Sequence, residues 1–158
     1  MTKPSYVYVT YIVTTPEKLW NALIDPEQTK RYWGNHRNAS DWNVGSSWRH
    51  EDYDDPGEVD IVGTVLESDP PRRLVISWAD PDSVADPAKT SRVSFDLAQL
   101  KHAVRLTVTH AELEPDSEML RGIMFGWPAV LAGLKTMLET GNALPRIWAE
   151  EEAEAAGV

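Results

Sequence analysis

Residues 126–141, GWPAVLAGLKTMLETG, decide the fold of this chain. With the turn before them they place apolar side chains at spacings of three and four residues, the pattern of one helix face. The stripe consists of Ile123, Trp127, Val130, Leu131, Leu134 and Leu138. Pro128 lies inside the pattern and predicts a kink near residues 124–126, or a fresh start of the helix there. Such a helix must bury its stripe against another element.

That other element is predicted to be an antiparallel sheet. Alternating apolar residues predict strands at residues 6–14, 46–52, 58–68, 73–79, 91–97 and 103–110. The later strands are joined by short turns rich in Asp, Pro and Gly, which indicates a meander. Thr15 and Pro16 open a helix, and a second short helix carries Tyr32 and Trp33, whereas the polar residues 35–43 are interpreted as a loop. The fold class is therefore α+β, and a curled sheet would leave a cavity under the final helix.

Composition limits the functions that fit. The chain has 158 residues, a net charge of −10 and no cysteine. We expect one domain over residues 1–142 and an acidic tail over residues 143–158, either a short helix or a frayed end. The acidic surface argues against nucleic-acid binding, and disulfides and thiolate metal sites are excluded. Because the sequence has neither a signal peptide nor a membrane-length apolar run, we expect no membrane association and a cytoplasmic location.

Strand alternation assigns side chains to the inner face of the sheet. Trp48 and His50 share one face, opposite Arg49 and Glu51. The inner faces and the helix stripe together supply the candidate ligand-binding residues. They are Trp33, Trp48, His50, Trp78, Phe95, His110, Trp127 and Leu131.

Two histidines stand out on faces otherwise built of apolar residues. His50 and His110 are interpreted either as core histidines bonded to backbone or water, or as polar anchors for a ligand in an apolar pocket. His50 is the better anchor because it lies at mid-strand, whereas His110 lies at a strand end and could cap a turn. Trp42 and Trp148 are candidates to cover a pocket entrance or to contact a second subunit.

Sequence motifs for other chemistry do not occur. Nucleotide-binding glycine loops and the G-x-S-x-G nucleophile elbow are missing, and the four histidines lack the local spacing of a metal site. Glu51 and Asp52 are adjacent on a strand and point to opposite faces, so they cannot act as a carboxylate pair. We therefore predict no catalytic residue, no cofactor and no metal.

Several short segments, in order, resemble one known family. They are TPEKLW at 15–20, LIDPE at 23–27, RYWG at 31–34, VGSSW at 44–48, GTVLESDPPRRL at 63–74, SW at 77–78, LTVTH at 106–110 and GWP at 126–128. The chain is similar to the START/Bet v 1-like (SRPBCC) superfamily and, within it, to the activator of heat-shock-protein-90 ATPase homologue-like family. This resemblance implies the helix-grip fold: a curved antiparallel sheet of six to seven strands wrapped around a long C-terminal helix, with two short helices after the first strand.

The resemblance also implies a ligand-sized cavity. Family members usually carry an apolar aromatic residue where this chain has His50, and tend to have a second glycine where Ser46 stands. The first difference favours a ligand with a polar group. Binding of a small hydrophobic or aromatic molecule is the leading hypothesis.

Two alternatives remain open. One is an enzyme of the polyketide cyclase or aromatase type that uses His50 or His110 as general acid or base. The other is a co-chaperone-like interaction module that uses Trp42 and Trp148. A homodimer is the default assembly, and a chaperone partner is not expected.

Overall fold

The computed structural model describes residues 2–145, 147 and 154. The strands are β1 (Tyr6–Ile12), β2 (His36–Ser40), β3 (Ser47–Asp52), β4 (Val59–Asp69), β5 (Arg73–Trp78), β6 (Ser91–Gln99) and β7 (Val104–Ala111). The helices are α1 (Pro16–Ile24), α2 (Pro26–Tyr32) and α3 (Glu118–Thr140), and two short 3-10 turns lie between β5 and β6. Trp148 and most of the predicted acidic tail lie outside the described residues.

All seven strands form one antiparallel sheet in the order β1-β7-β6-β5-β4-β3-β2. β2 to β7 form a meander, and β1 closes it by pairing with the last strand, Tyr6 opposite His110. The sheet curves around α3, which confirms the predicted helix-grip architecture. The core lies between the concave face of the sheet and α3, and α1 and α2 cover one end of it.

Local sequence explains where the first two helices begin and end. The hydroxyl of Thr15 accepts a hydrogen bond from the Lys18 amide, and Pro16 occupies the first turn, as expected at a helix start. Asp25 ends α1 and caps α2, because its carboxylate accepts from the Glu27 amide. One aspartate therefore both ends α1 and begins α2.

The C-terminal helix is continuous. Ser117 caps it by accepting from the Leu120 amide, and Gly141 closes it in the left-handed region with φ of 84°. The predicted fresh start near Pro128 is wrong: α3 runs through this residue from Glu118 to Thr140. Its buried side chains include Ile123, Trp127, Leu131 and Leu134, as the stripe predicted.

The polar segment interpreted as a loop contains a strand, so that prediction is wrong. β2 pairs with β3, with Asn38 opposite His50 and Ser40 opposite Trp48. An edge strand pairs on one side only and needs little apolar character, so backbone pairing with β3 outweighed the polar composition. This strand brings His36 and Asn38 beside the predicted site.

Glu51 is a buried carboxylate in β3 that pairs with two arginines. A register shift between His50 and Glu51 interrupts the pairing of β3 with β4, and Glu51 is fully buried although Arg49, two residues earlier, is exposed. The extra residue of this β-bulge is Asp60 in β4, because Ile61 pairs with His50 and Val59 pairs with Glu51. Arg37 and Arg49 pair with the buried carboxylate, at 2.8 and 3.0 Å.

Candidate functional site

Four tryptophans, from β3, β5, α3 and the residue after α2, meet in the core between the sheet and α3. We call Trp33, Trp48, Trp78 and Trp127 the indole cluster. Trp78 is central: its ring centroid lies 5.3 Å from that of Trp48, 5.5 Å from that of Trp127 and 6.4 Å from that of Trp33. Offset and edge-to-face ring pairs at such distances are favourable beyond the area that they bury. The structure thus joins four of the candidate site residues in one contact network.

The remaining candidates border the same cluster. Phe95 meets Trp127 edge-on at 5.9 Å, His110 meets Trp78 at 5.3 Å, and His50 meets Trp33 at 5.1 Å. Leu131 is buried in the same core. Side chains occupy the space that the sequence suggested as a cavity, since Trp48 is 0% exposed and Trp127 only 3%.

His110 lies deep in the core rather than at a turn. The indole N–H of Trp127 donates to its Nδ1 at 3.1 Å, so Nδ1 is the acceptor and Nε2 carries the proton. Nε2 lies 2.8 Å from the Ser91 hydroxyl, which itself donates to the Trp78 carbonyl at 2.9 Å. Burial lowers the pKa of His110 to about 4. Because Nε2 donates to Ser91, His110 cannot accept the serine proton, and the pair does not form a nucleophile with its base.

Two indole N–H groups of the cluster differ in their partners. Trp48 donates to the Ser77 carbonyl at 2.8 Å. The Nε1 atom of Trp78 is buried and has no hydrogen-bond partner among the residues that the structure describes. Oε2 of Glu51 is also buried without a hydrogen-bond partner, but it forms an ion pair with the Arg49 guanidinium at 3.0 Å, and this pair compensates its charge. The unsatisfied Trp78 donor is therefore the unexplained polar group of the core.

Trp78 also forms the inner wall of a surface cleft. The cleft has a volume of about 280 Å³ and lies between the first turns of α3 and the strands β4 and β5. Its lining is mostly apolar, with two carboxylates. The lining residues are Ile61, Trp78, Asp80, Glu118, Met119, Gly122 and Ile123.

Sequence reasoning missed most of this cleft. Met119 lies four residues before Ile123 and extends the helix stripe by one turn, so the spacing could have identified it. Ile61 precedes the inner residues of β4, but the strand alternation alone did not show that it would stand opposite the helix start. Trp42 lies elsewhere, in a second cleft of about 470 Å³ that Trp20 also lines.

His50 is held on the β2 side of the cluster. Its Nδ1 lies 2.7 Å from Oδ1 of Asn38, directly across the strand pair. Its ring stacks on His36 with centroids 4.7 Å apart. Burial, and secondly the nearby His36, lower the pKa of His50 to about 3. His50 is therefore neutral near pH 7, with Nδ1 as the donor and Nε2 bearing the lone pair.

The described helices contain none that is long and apolar enough to cross a membrane. No curated protein matches the chain significantly.

Solved structures share the architecture. CalU16 from Micromonospora echinospora is 23% identical and superposes with a TM-score of 0.71 over 97% of this chain and 86% of its own. Protein MLL2253 from Mesorhizobium loti is 27% identical, with a TM-score of 0.71 over 85% and 96%. An Aha1 from Colwellia psychrerythraea, solved as a dimer, is 21% identical, with a TM-score of 0.68 over 87% and 98%.

The family model described as Activator of Hsp90 ATPase homolog 1-like protein matches residues 13–139. This span begins at the end of β1 and includes every later strand and nearly all of α3. The chain therefore belongs to the family of Activator of Hsp90 ATPase homolog 1-like proteins.

Proposed function

We propose that the protein binds a small aromatic or hydrophobic molecule with one hydrogen-bond acceptor, in the cleft walled by Trp78. The observation that carries this proposal is the buried indole N–H of Trp78, which lacks a partner in the described part of the chain. An unsatisfied buried donor costs about 1–3 kcal/mol, so a ligand carbonyl or hydroxyl that reaches it from the cleft, once the ring shifts, recovers that cost on binding.

The walls of the cleft favour one class of ligand. Ile61, Met119 and Ile123 supply apolar surface, and methionine adapts to ligands of different shape. Asp80 and Glu118 border the cleft, so an anionic ligand is disfavoured and a neutral one is expected. A volume of about 280 Å³ is at the small end for ligand sites, which suits one or two fused rings.

The indole cluster connects this cleft to the core. Trp78 contacts Trp33 and Trp127, and both are candidates from the sequence. A flat ligand that enters beside Trp78 continues the existing ring packing rather than displacing it. We therefore propose the ligand class that the sequence suggested, but we place its binding site at the start of α3 rather than at the centre of the domain.

The geometry favours binding over acid–base catalysis. Both ring nitrogens of His110 are engaged inside the protein, and Nδ1 of His50 faces Asn38. Neither ring is among the residues that line the cleft. A general acid or base must reach the substrate by a hydrogen bond, directly or through one water.

The proposal is tested with neutral one- and two-ring aromatic compounds that carry a carbonyl or a hydroxyl. Binding is followed by the indole ¹H–¹⁵N resonance of Trp78, assigned by its loss in Trp78→Phe. We expect a saturable downfield shift, because the N–H gains an acceptor. A Cβ on Gly122 meets nothing within 4 Å, so Gly122→Leu introduces a side chain at the wall of the cleft and should abolish the shift.

Gly126→Leu is the matched control. It makes the same change one turn later on α3, where a Cβ also meets nothing within 4 Å, outside the set of residues that line the cleft. Binding should persist in this variant. Equal loss in both variants, or an unchanged Trp78 resonance in the presence of bound ligand, would contradict the proposal.

A further inference from the structure

Three neighbouring strands bring two histidines and an aspartate together at the β2 edge of the sheet. His36 opens β2, His50 lies in β3, and Asp60 lies in β4 beside Ile61, which pairs with His50. One nitrogen of each ring and one carboxylate oxygen lie within 4.8 Å of one another. These side chains are separate from the cleft proposed to bind the aromatic ligand.

The contacts of His36 need a cation. Its Nδ1 lies 2.8 Å from the carbonyl oxygen of Gly34, and its Nε2 lies 2.8 Å from Oδ2 of Asp60. Both partners are acceptors, but a neutral imidazole has one N–H and can satisfy only one of them. The other contact requires a second proton on the ring or a metal ion between the ring and the carboxylate.

His50 supplies a second ring nitrogen beside this contact. The two imidazole rings stack with centroids 4.7 Å apart, and His50 is buried. Asn38 accepts at 2.7 Å from Nδ1 of His50, which leaves the lone pair on Nε2.

Both histidines have the supporting contacts that metal ligands use. A ligating histidine almost always donates its other N–H to an oxygen, which fixes the tautomer and orients the ring. Gly34 and Asn38 provide these oxygens for His36 and His50. Each Nε2 is then the ligand atom.

We propose that Nε2 of His36, Nε2 of His50 and the carboxylate of Asp60 bind one divalent transition-metal ion of the Zn²⁺ class. Two imidazoles and one carboxylate suit Zn²⁺ and its first-row neighbours, whereas Mg²⁺ and Ca²⁺ prefer oxygen ligands. The ring planes are 11° apart, and a metal must lie near the plane of each ligating ring, so binding turns one ring. His36 turns, because its side chain is 24% exposed while His50 is buried.

The test uses the full chain, treated with EDTA and dialysed. Zn²⁺ titration in a calorimeter should give one ion per chain, and Co²⁺ should quench Trp33, whose ring lies 5.1 Å from that of His50. Asp60→Asn should lower the Zn²⁺ association constant at least about tenfold, since even loss of a supporting contact costs about 10–100-fold. The Asp60 side chain is 61% exposed, so this variant keeps the fold.

His36→Gln should abolish binding, and His102→Gln, which changes an exposed histidine in the β6–β7 turn, should leave it unchanged. Absence of Zn²⁺ binding to the wild-type chain would overturn the proposal. Equal affinities for the wild-type chain and Asp60→Asn, or loss of binding in His102→Gln, would overturn it too.

Discussion

The indole N–H of Trp127 donates to Nδ1 of His110 across 3.1 Å, and this bond sets the direction of a whole chain of hydrogen bonds. Because indole nitrogen can only donate, His110 must donate from Nε2 to Ser91, and Ser91 must donate to the Trp78 carbonyl. Each polar group in this chain has a partner. A core otherwise made of Trp, Leu and Val therefore holds an imidazole in one tautomer.

Acid should destabilise the fold between pH 6.5 and 5. Burial lowers the pKa of His110 to about 4 and that of His50 to about 3, against an ordinary value of 6.5. Below pH 6.5 these histidines therefore bind protons in the unfolded chain but stay neutral in the folded chain. Because the unfolded state binds more protons, the free energy of unfolding falls as pH falls. Each histidine contributes a slope of up to about 1.4 kcal/mol per pH unit. Urea unfolding across this range measures it.

The variant His110→Gln isolates one of these slopes. Glutamine can accept from Trp127 and donate to Ser91 but does not titrate, so the slope should fall by up to about 1.4 kcal/mol per pH unit. The unfolding measurements are made above pH 5, so that the protonation of carboxylates contributes little to the slope. An unchanged slope in His110→Gln would show that His110 titrates alike in both states.

Gly63 is required because the backbone of β5 and the ring of Trp48 lie against it. A Cβ there would stand 1.9 Å from the Ser77 carbonyl oxygen and 2.4 Å from Nε1 of Trp48, the two atoms of the Trp48–Ser77 hydrogen bond. Gly63→Ala should therefore lower the free energy of unfolding by about 3 kcal/mol or more. Chemical denaturation measures the loss.

Gly126→Ala is the control for that change. A Cβ at Gly126 in α3 meets nothing within 4 Å, and alanine is favoured over glycine inside a helix by about 0.5–1 kcal/mol. This variant should be neutral or slightly more stable. If Gly63→Ala unfolds at the same denaturant concentration as the wild type, the close contact with Ser77 is not a constraint.

The sequence was sufficient for the architecture because helix and strand periodicities are strong signals. It located α3 and the strands β3 to β7 within a few residues, and the alternation assigned Trp48 and His50 to the inner face. It missed β2, because an edge strand paired on one side can be polar. It did not show that Glu51 would be buried, because that burial depends on the contacts of Arg37 and Arg49 with its carboxylate.

The sequence could predict which residues form the candidate site, but not the shape of the space between them. Alternation placed the indole rings under the helix, but whether four rings enclose a void or fill it depends on their rotamers. The His36–Asp60 contact could not be predicted for another reason. It depends on the register of β2, a strand that the sequence analysis did not predict. The unpartnered donor of Trp78 likewise appears only once all its neighbours are placed.

The buried carboxylate of Glu51 should depend more on Arg37 than on Arg49. Arg37 Nε donates to Oε1 at 2.8 Å and its side chain is 31% exposed, whereas Arg49 is 52% exposed and makes an ion pair without hydrogen-bond geometry. Arg37→Met should cost about 2–3 kcal/mol, the value for a buried pair reduced for partial exposure. Arg49→Met should cost less than about 1 kcal/mol. Equal losses in urea unfolding would contradict this ranking.

Removing the ring of Trp33 should create a space that added indole can refill. Trp33 is only partly buried, but its ring contacts Trp78, Trp127 and His50. Trp33→Ala should therefore cost about 3 kcal/mol, at the lower end for a large-to-small aromatic change. Indole should raise the melting temperature of this variant with a logarithmic dependence on concentration, as a ligand of the folded state does. Trp42→Ala, which removes a partly buried ring from the other cleft, should show a smaller loss and no rescue. Equal rescue of both variants would mean that indole acts on the protein surface rather than in the vacated ring site.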